Sequence, residues 1–188
     1  KEVFDFIGKK PHLLRPAILP PQTTPGKGSC LIEHSGTRTA VINLIGRTFL
    51  NPADCPFRTA EKEIALYKDQ ADIIIIDFHA EATSEKQALG WFLDSRVSAV
   101  IGTHTHVQTA DERILPGKTA YISDAGMVGL YDSILGVDRD GPLQRFLTQL
   151  PCKLSISDGR KVFNAVIVDI DEKNGTASQI ERIFEIIS

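Results

Sequence analysis

Apolar residues along the chain fall into short runs that predict alternating strands and helices. Residues 72–78 form a continuous run dominated by isoleucine, and such β-branched runs are typical of strands that are buried on both faces. Residues 83–94 are predicted to form a helix with Thr83 or Ser84 as its N-cap, and residues 96–101 a second short apolar strand. A strand-helix-strand unit of this kind makes its two strands parallel, with a right-handed crossover between them.

The remaining segments predict further elements of the same domain. Residues 11–28 hold five prolines and two glycines, which indicates an irregular connector. We find no internal repeat and no linker, so we expect one α/β domain that mixes parallel and antiparallel strands. The other predicted elements, in chain order, are a helix at residues 1–7, a hairpin of residues 30–33 and 39–45 with a turn at Ser35-Gly36, a helix at 59–69, a strand at 119–123, a glycine-rich loop at 126–136, a helix at 140–150, and strands at 153–157, 161–170 and 177–183.

Net charge, apolar runs and cysteine spacing indicate which binding partners and which cellular environment to expect. The formal net charge of −3 gives no basis for electrostatic capture of nucleic acid or of an anionic membrane. The longest strongly apolar run, residues 73–76, is too short to span a bilayer, so we expect no membrane partner. Cys30, Cys55 and Cys152 are far apart and form no Cys-x-x-Cys pair, which argues against a disulfide framework and favours a reducing, cytoplasmic environment.

Three of the five histidines fall at equivalent places in the predicted sheet. His79 follows the first parallel strand, and His104 and His106 follow the second, whereas His12 and His34 lie in the connector and beside a turn. Sites in open α/β sheets form beyond the carboxyl ends of the strands, and the crossover makes these two strands neighbours. We therefore predict that the imidazoles of His79, His104 and His106 face one cavity and bind metal, and that His12 and His34 are solvated.

The segment Gly102-Thr103-His104-Thr105-His106 supports this prediction. Gly102 allows a sharp turn off the strand, and an extended i, i+2 spacing places both histidine side chains on the same side. Imidazole suits zinc, iron, manganese and related divalent ions. Asp77 and Glu81 flank His79, where a carboxylate orients a ligating imidazole by accepting its free N–H.

Other interpretations of these residues stay open at this point. A histidine after a strand is more often a hydrogen-bonding or surface residue than a ligand, and only the matched placement of three favours a metal site. An amidohydrolase also uses His-x-His but needs histidines on later strands, and none follows His106. Arg47, Arg58 and Arg113 are candidates for phosphate contacts, although solvated surface arginine is the commoner role. Residues 169–175 match a calcium loop poorly, because the glycine falls one place late.

Two longer strings, residues 77–86 and 102–111, resemble the YmdB-like branch of the calcineurin-like metallophosphoesterases. Residues 21–28, Phe57-Arg58-Thr59 and Tyr131-Asp132-Ser133 fit the same family, so the similarity covers nearly the whole chain. The resemblance implies a four-layered α/β sandwich of two mixed sheets flanked by helices.

The same resemblance implies a metal-dependent phosphodiesterase or phosphatase that acts on a small phosphodiester or nucleotide, with cyclic nucleotides as the substrate class. It implies that His79, His104 and His106 are ligands of two divalent metal ions, iron or manganese, with magnesium and zinc as alternatives. The competing hypothesis is a non-catalytic metal-binding or regulatory module. The sequence leaves the oligomeric state open, a homo-oligomer included.

The sequence also departs from the family pattern. The early family motifs Gly-Asp, Asn-Gly-Glu-Asn and Gly-Asn-His are absent, and these supply an Asp, a Glu and an Asn to the metals and the histidine taken as general acid. We therefore expect residues 1–188 to be the C-terminal portion of a single metallophosphoesterase domain, without the family's N-terminal strands. On that expectation the chain carries the histidine half of the site and is inactive alone, and the general acid lies in the missing N-terminal part. The sequence does not identify the substrate-binding residues.

Overall fold

The computed structural model describes residues 3–20, 23–50 and 54–188, and these residues form four helices and nine strands. In chain order the elements are α1 (Phe4–Ile7), β1 (Ser29–His34), β2 (Thr37–Ile45), α2 (Pro56–Tyr67), β3 (Ile73–His79), α3 (Thr83–Leu93), β4 (Ala99–Thr103), β5 (Arg113–Ile114), β6 (Ala120–Ile122), β7 (Val128–Leu130), α4 (Asp140–Thr148), β8 (Lys161–Ile170) and β9 (Ala177–Ile187). None of the helices within these ranges is long and apolar enough to cross a membrane.

Two sheets confirm the predicted α/β class. The first has the order β1-β2-β3-β4-β6-β5, in which β2, β3, β4 and β6 are parallel and the edge strands β1 and β5 are antiparallel to their neighbours. The second has the order β7-β8-β9 and is antiparallel throughout these strands, whereas we expected it to be mixed. The parallel pairing of β3 with β4 is as predicted, and its register sets His79 opposite Thr103.

The first sheet is covered on both faces, which explains its continuous apolar strands. On one face Ile42, Ile76 and Phe78 pack with residues of α2 and α3 such as Ala60 and Leu89. On the other face a smaller cluster joins β3, β4 and β6 to Val168, Ile170 and Ile180 of the second sheet. Burial on both faces removes the polar alternation of a half-exposed strand. The layers leave the carboxyl ends of β2, β3, β4 and β6 together at one edge.

Several boundaries differ from the predictions. Residues 153–157 are not a strand: Leu154 and Ile156 are exposed, and no ladder partner lies beside them among the described residues. The predicted glycine-rich loop contains β7, which pairs with β8 about thirty residues later in the chain. Both differences concern long-range pairing, which local propensity does not contain.

The helix starts differ for local reasons. Helix α2 begins at Pro56 rather than at residue 59, because proline at the first helical position lacks an N–H that would have no partner there. Helix α3 has Ala82 at its N-cap without a side-chain bond, so the predicted capping by Thr83 or Ser84 is wrong. In the first predicted helix, residues 1 and 2 lie outside the described residues, and α1 covers only one turn.

The second sheet is tied to the loop that follows β4. The Gln108 side-chain Nε2 donates to the carbonyl oxygens of Ala125, Ala165 and Ile183, at 3.3, 3.1 and 3.2 Å. Asn164 Nδ2 of β8 donates to the Met127 carbonyl oxygen at 2.8 Å. These bonds attach the loops at the carboxyl edge of the first sheet to β8 and β9.

Candidate metal centre

His79 and His104 meet at the carboxyl edge of the first sheet. His79 is the last residue of β3, and His104 directly follows Thr103, the last residue of β4. His79 Nε2 and His104 Nδ1 are 2.9 Å apart. The two rings stand almost perpendicular, at 89°, with centroids 4.7 Å apart. The strand register thus brings two of the three predicted ligands together.

In each ring, the nitrogen that faces away from the other histidine (the outer nitrogen) lies within hydrogen-bonding distance of an oxygen atom. His79 Nδ1 lies 3.2 Å from Thr103 Oγ1, and His104 Nε2 lies 2.6 Å from Glu81 Oε2. Glu81 therefore has the orienting contact expected of it, although with His104 rather than with its neighbour His79. Partners of this kind fix the ring orientation and leave the inner nitrogen free for a metal.

Asp77 reaches His79 only through Thr103. The Thr103 hydroxyl donates to Asp77 Oδ1 at 3.5 Å, and Asn43 Nδ2 donates to Asp77 Oδ2 at 2.6 Å. These contacts link β2, β3 and β4 side by side beneath the His79 ring. Thr103 and Asn43 were missed by sequence reasoning, because their roles depend on cross-strand register rather than on a local motif.

His106 is not part of the pair in this structure. Its Nδ1 contacts the Leu135 carbonyl oxygen at 2.9 Å, and its side chain borders two cavities of about 300 and 460 Å³. The i, i+2 prediction assumed an extended backbone, but φ is 119° at His104 and 67° at His106, so the two side chains diverge. Across residues 3–20, 23–50 and 54–188, no group of three or more His, Cys, Asp or Glu side chains could hold a metal ion.

The donor set nevertheless fits a divalent metal. Two imidazole nitrogens bound to one ion at about 2.1 Å and about 90° to each other would be about 3 Å apart. The observed 2.9 Å between His79 Nε2 and His104 Nδ1 matches that separation. Burial, and then the neighbouring His104, lower the pKa of His79 below its ordinary value, which favours the neutral form that binds metals.

The other candidate residues lie away from this pair or have different contacts. His12 and His34 are exposed, in agreement with the prediction that they are solvated. Arg47 and Arg58 are exposed as well. Arg113 lies over the rings of Trp91 and Tyr121, with its guanidinium carbon 5.6 Å from each centroid. Of the three arginines, Arg113 therefore contacts aromatic rings.

Removing the Glu81 carboxylate tests whether it orients His104. We expect Glu81→Ala to weaken divalent-metal binding about 10-fold to 100-fold, since the His104 ring loses the acceptor at 2.6 Å. Isothermal titration with Mn²⁺ measures the effect. Glu61→Ala is a matched control, because both side chains are 47% exposed and Arg96 is the one ion-pair partner of Glu61 among the described residues. Equal affinities for the two variants would show that Glu81 has no orienting role.

The parallel strands of the first sheet, enclosed between helices and a second sheet, have the α/β fold of metallophosphoesterase-like phosphatases, as the solved structure of a relative shows. A phosphatase from Mycoplasma pneumoniae has the same fold, with a TM-score of 0.90 at 31% identity over 99% of this chain and 68% of its own. A hypothetical protein from Thermus thermophilus also gives 0.90, at 38% identity over 98% of this chain and 71% of its own.

The chain belongs to the YmdB-like protein family, whose model matches residues 1–183. It is 55% identical over 183 residues to a 2′,3′-cyclic-nucleotide 2′-phosphodiesterase of Bacillus subtilis (strain 168). That alignment covers 97% of this chain and 69% of the relative. Two mycoplasma relatives, at 36% and 34% identity, are matched over 57% and 58% of their lengths. The chain thus spans 57% to 69% of the length of these three relatives.

Proposed function

We propose that the protein is a metal-dependent phosphodiesterase that acts on small phosphodiesters, with 2′,3′-cyclic nucleotides as the substrate class. The observation that carries the proposal is the convergence of His79 Nε2 and His104 Nδ1 at 2.9 Å, with an oxygen partner on each outer nitrogen. The name of the Bacillus subtilis relative supports the choice of substrate.

Two divalent cations, iron or manganese, fit the histidine chemistry of this proposal. His79 and His104 are close enough to bind one ion, and His106 is free to bind the other through Nε2 while Nδ1 contacts Leu135. Such cations supply Lewis acidity, which lowers the pKa of water and offsets the charge that develops on the phosphoryl oxygens. Thr103 and Glu81 keep the first two rings oriented for this role.

The remaining ligands are assigned to residues outside these 188. Three imidazoles bring no negative charge, and the repulsion between two dications held close together has to be offset by carboxylate ligands. The proposal therefore treats residues 1–188 as the C-terminal portion of one metallophosphoesterase domain. It places the protein in the cytoplasm, because Cys30, Cys55 and Cys152 are all free thiols.

Comparing the 188-residue chain with the complete protein tests this proposal. We expect the complete protein to bind two equivalents of Mn²⁺ or Fe²⁺ and to hydrolyse 2′,3′-cyclic AMP. The isolated chain is expected to bind at most one equivalent, weakly, and to be inactive. Metal analysis, calorimetric titration and a nucleotide hydrolysis assay give the three measurements.

Each contrary outcome has a distinct meaning. A complete protein that binds metal without hydrolysing any phosphodiester would favour the regulatory-module hypothesis over the enzyme. Tight binding of two metals with turnover by residues 1–188 alone would show that the further ligands are not needed.

A further inference from the structure

A buried ion pair lies beneath the histidine loop. Lys86 of α3 and Asp124, which follows β6, have side chains only 2% and 1% exposed, and Lys86 Nζ lies 2.9 Å from Asp124 Oδ2. Removing two charges from water is costly, so a pair of this kind is weak evidence for a role in stability. Its contacts indicate a different role.

The Asp124 carboxylate is fixed from several directions. Oδ2 accepts the Thr105 N–H at 2.8 Å as well as the Lys86 ammonium, and Oδ1 accepts the Gly126 N–H at 3.0 Å. The Asp124 backbone N–H donates in turn to Thr109 Oγ1 at 2.9 Å. The carboxylate therefore cannot turn away from Thr105 without breaking several bonds at once.

Thr105 is the residue between the two loop histidines. His104 and His106 have φ values of 119° and 67°, in a region that non-glycine residues seldom adopt. Backbone in such conformations persists only where surrounding contacts hold it. The Thr105 N–H bond to Asp124 is the contact that reaches the middle of this strained segment from the core.

We propose that Lys86 and Asp124 are positioning residues that hold the backbone of His104, Thr105 and His106 in the conformation that presents both imidazoles. Asp124 fixes the loop through the Thr105 N–H, and Lys86 keeps Asp124 charged and in place although it is buried. The effect on metal binding rests on the proposed function, whereas the effect on loop geometry does not.

Two variants test the pair directly. Asp124→Asn keeps the size of the side chain but turns an amide N–H₂ toward one of the backbone donors. Lys86→Met removes the charge and keeps much of the stem. In both, we expect the Thr105 amide proton to shift upfield in ¹H–¹⁵N spectra of the metal-free protein and to exchange with solvent at least about 10-fold faster. In Asp124→Asn the reason is that the N–H no longer donates to a charged carboxylate, and in Lys86→Met that the acceptor carboxylate is no longer held by the ammonium group.

The metal readout is measured on the complete protein. We expect both variants to bind Mn²⁺ about 10-fold to 100-fold more weakly, as for other groups that orient metal ligands. Lys86→Arg retains the positive charge and should restore the Thr105 signal and most of the affinity. It also keeps the proposal testable if Lys86→Met does not fold.

Asp94→Asn is the matched control, because Asp94 also accepts backbone N–H groups, from Gly117 at 2.8 Å and Ser95 at 3.0 Å, at the opposite end of the strands. It should lower the melting temperature and leave the Thr105 signal and metal affinity unchanged. The proposal is overturned if Asp124→Asn behaves like this control. If both variants show the Thr105 changes but the wild-type protein binds no metal, the proposed function is contradicted and the positioning role of the pair is not.

Discussion

We expect His104→Ala in the complete protein to lower both Mn²⁺ affinity and phosphodiester hydrolysis by more than about 100-fold, since losing a ligand should exceed the effect of losing its orienting partner. The His104 side chain is 27% exposed and lies in a loop, so the free energy of unfolding of the variant should be within about 0.5 kcal/mol of the wild-type value. Metal content, hydrolysis rate and urea denaturation of the metal-free protein are the measurements.

His34→Ala provides the control for this substitution. His34 is exposed at the end of β1 and belongs to the hairpin rather than to the carboxyl edge of the sheet. It should change none of the three measurements. Normal metal content and normal hydrolysis in His104→Ala would remove His104 from the set of ligands.

The largest effect on stability is expected for Gly102→Ala. A Cβ atom at Gly102 would lie 1.8 Å from the Ser123 carbonyl oxygen and 2.6 Å from its carbonyl carbon, so β4 would have to move away from the chain that follows β6. Overpacking against fixed backbone should lower the free energy of unfolding by about 3 kcal/mol. The displacement should also weaken metal binding, because His104 follows two residues later.

Gly8→Ala is the matched glycine control. Nothing lies within 4 Å of a Cβ at Gly8, and its φ of −65° suits alanine. Urea denaturation of both variants should therefore show a loss for Gly102→Ala only. A free energy of unfolding within about 0.5 kcal/mol of the wild type for Gly102→Ala would contradict the expected collision.

The part of the site that could be predicted from the sequence depends on one local unit. The isoleucine-rich run, the helix and the second short strand are each visible in the pattern, and the connection between them makes the strands parallel neighbours. This unit was enough to predict that His79 and His104 lie at the same edge of the sheet. Glu81 was recognisable because it lies only two residues beyond His79.

What could not be predicted depends on backbone conformation and on distant contacts. The positive φ values of His104 and His106 are properties of a turn that Asp124 holds from nineteen residues away. Alternation rules for extended chains do not apply to such a turn, so the placement of His106 was not predictable. Residues 128–130 form strand β7 because β8 lies beside them, whereas residues 153–157 have no partner strand among the described residues. Apolar patterning does not show whether a partner strand is present.

The bonds of Gln108 to β8 and β9 constrain the order in which the site is completed during protein synthesis. Its acceptors at Ala165 and Ile183 are 57 and 75 residues away in the chain. The His79–His104 pair spans only 25 residues, and it can form once Asp124, nineteen residues beyond Thr105, has left the ribosome. The segment that follows His106 cannot complete its bonds to the second sheet until translation has passed Ile183. A ribosome that stalls within the last hairpin would therefore hold a nascent chain with its histidine pair formed and its Gln108 bonds incomplete.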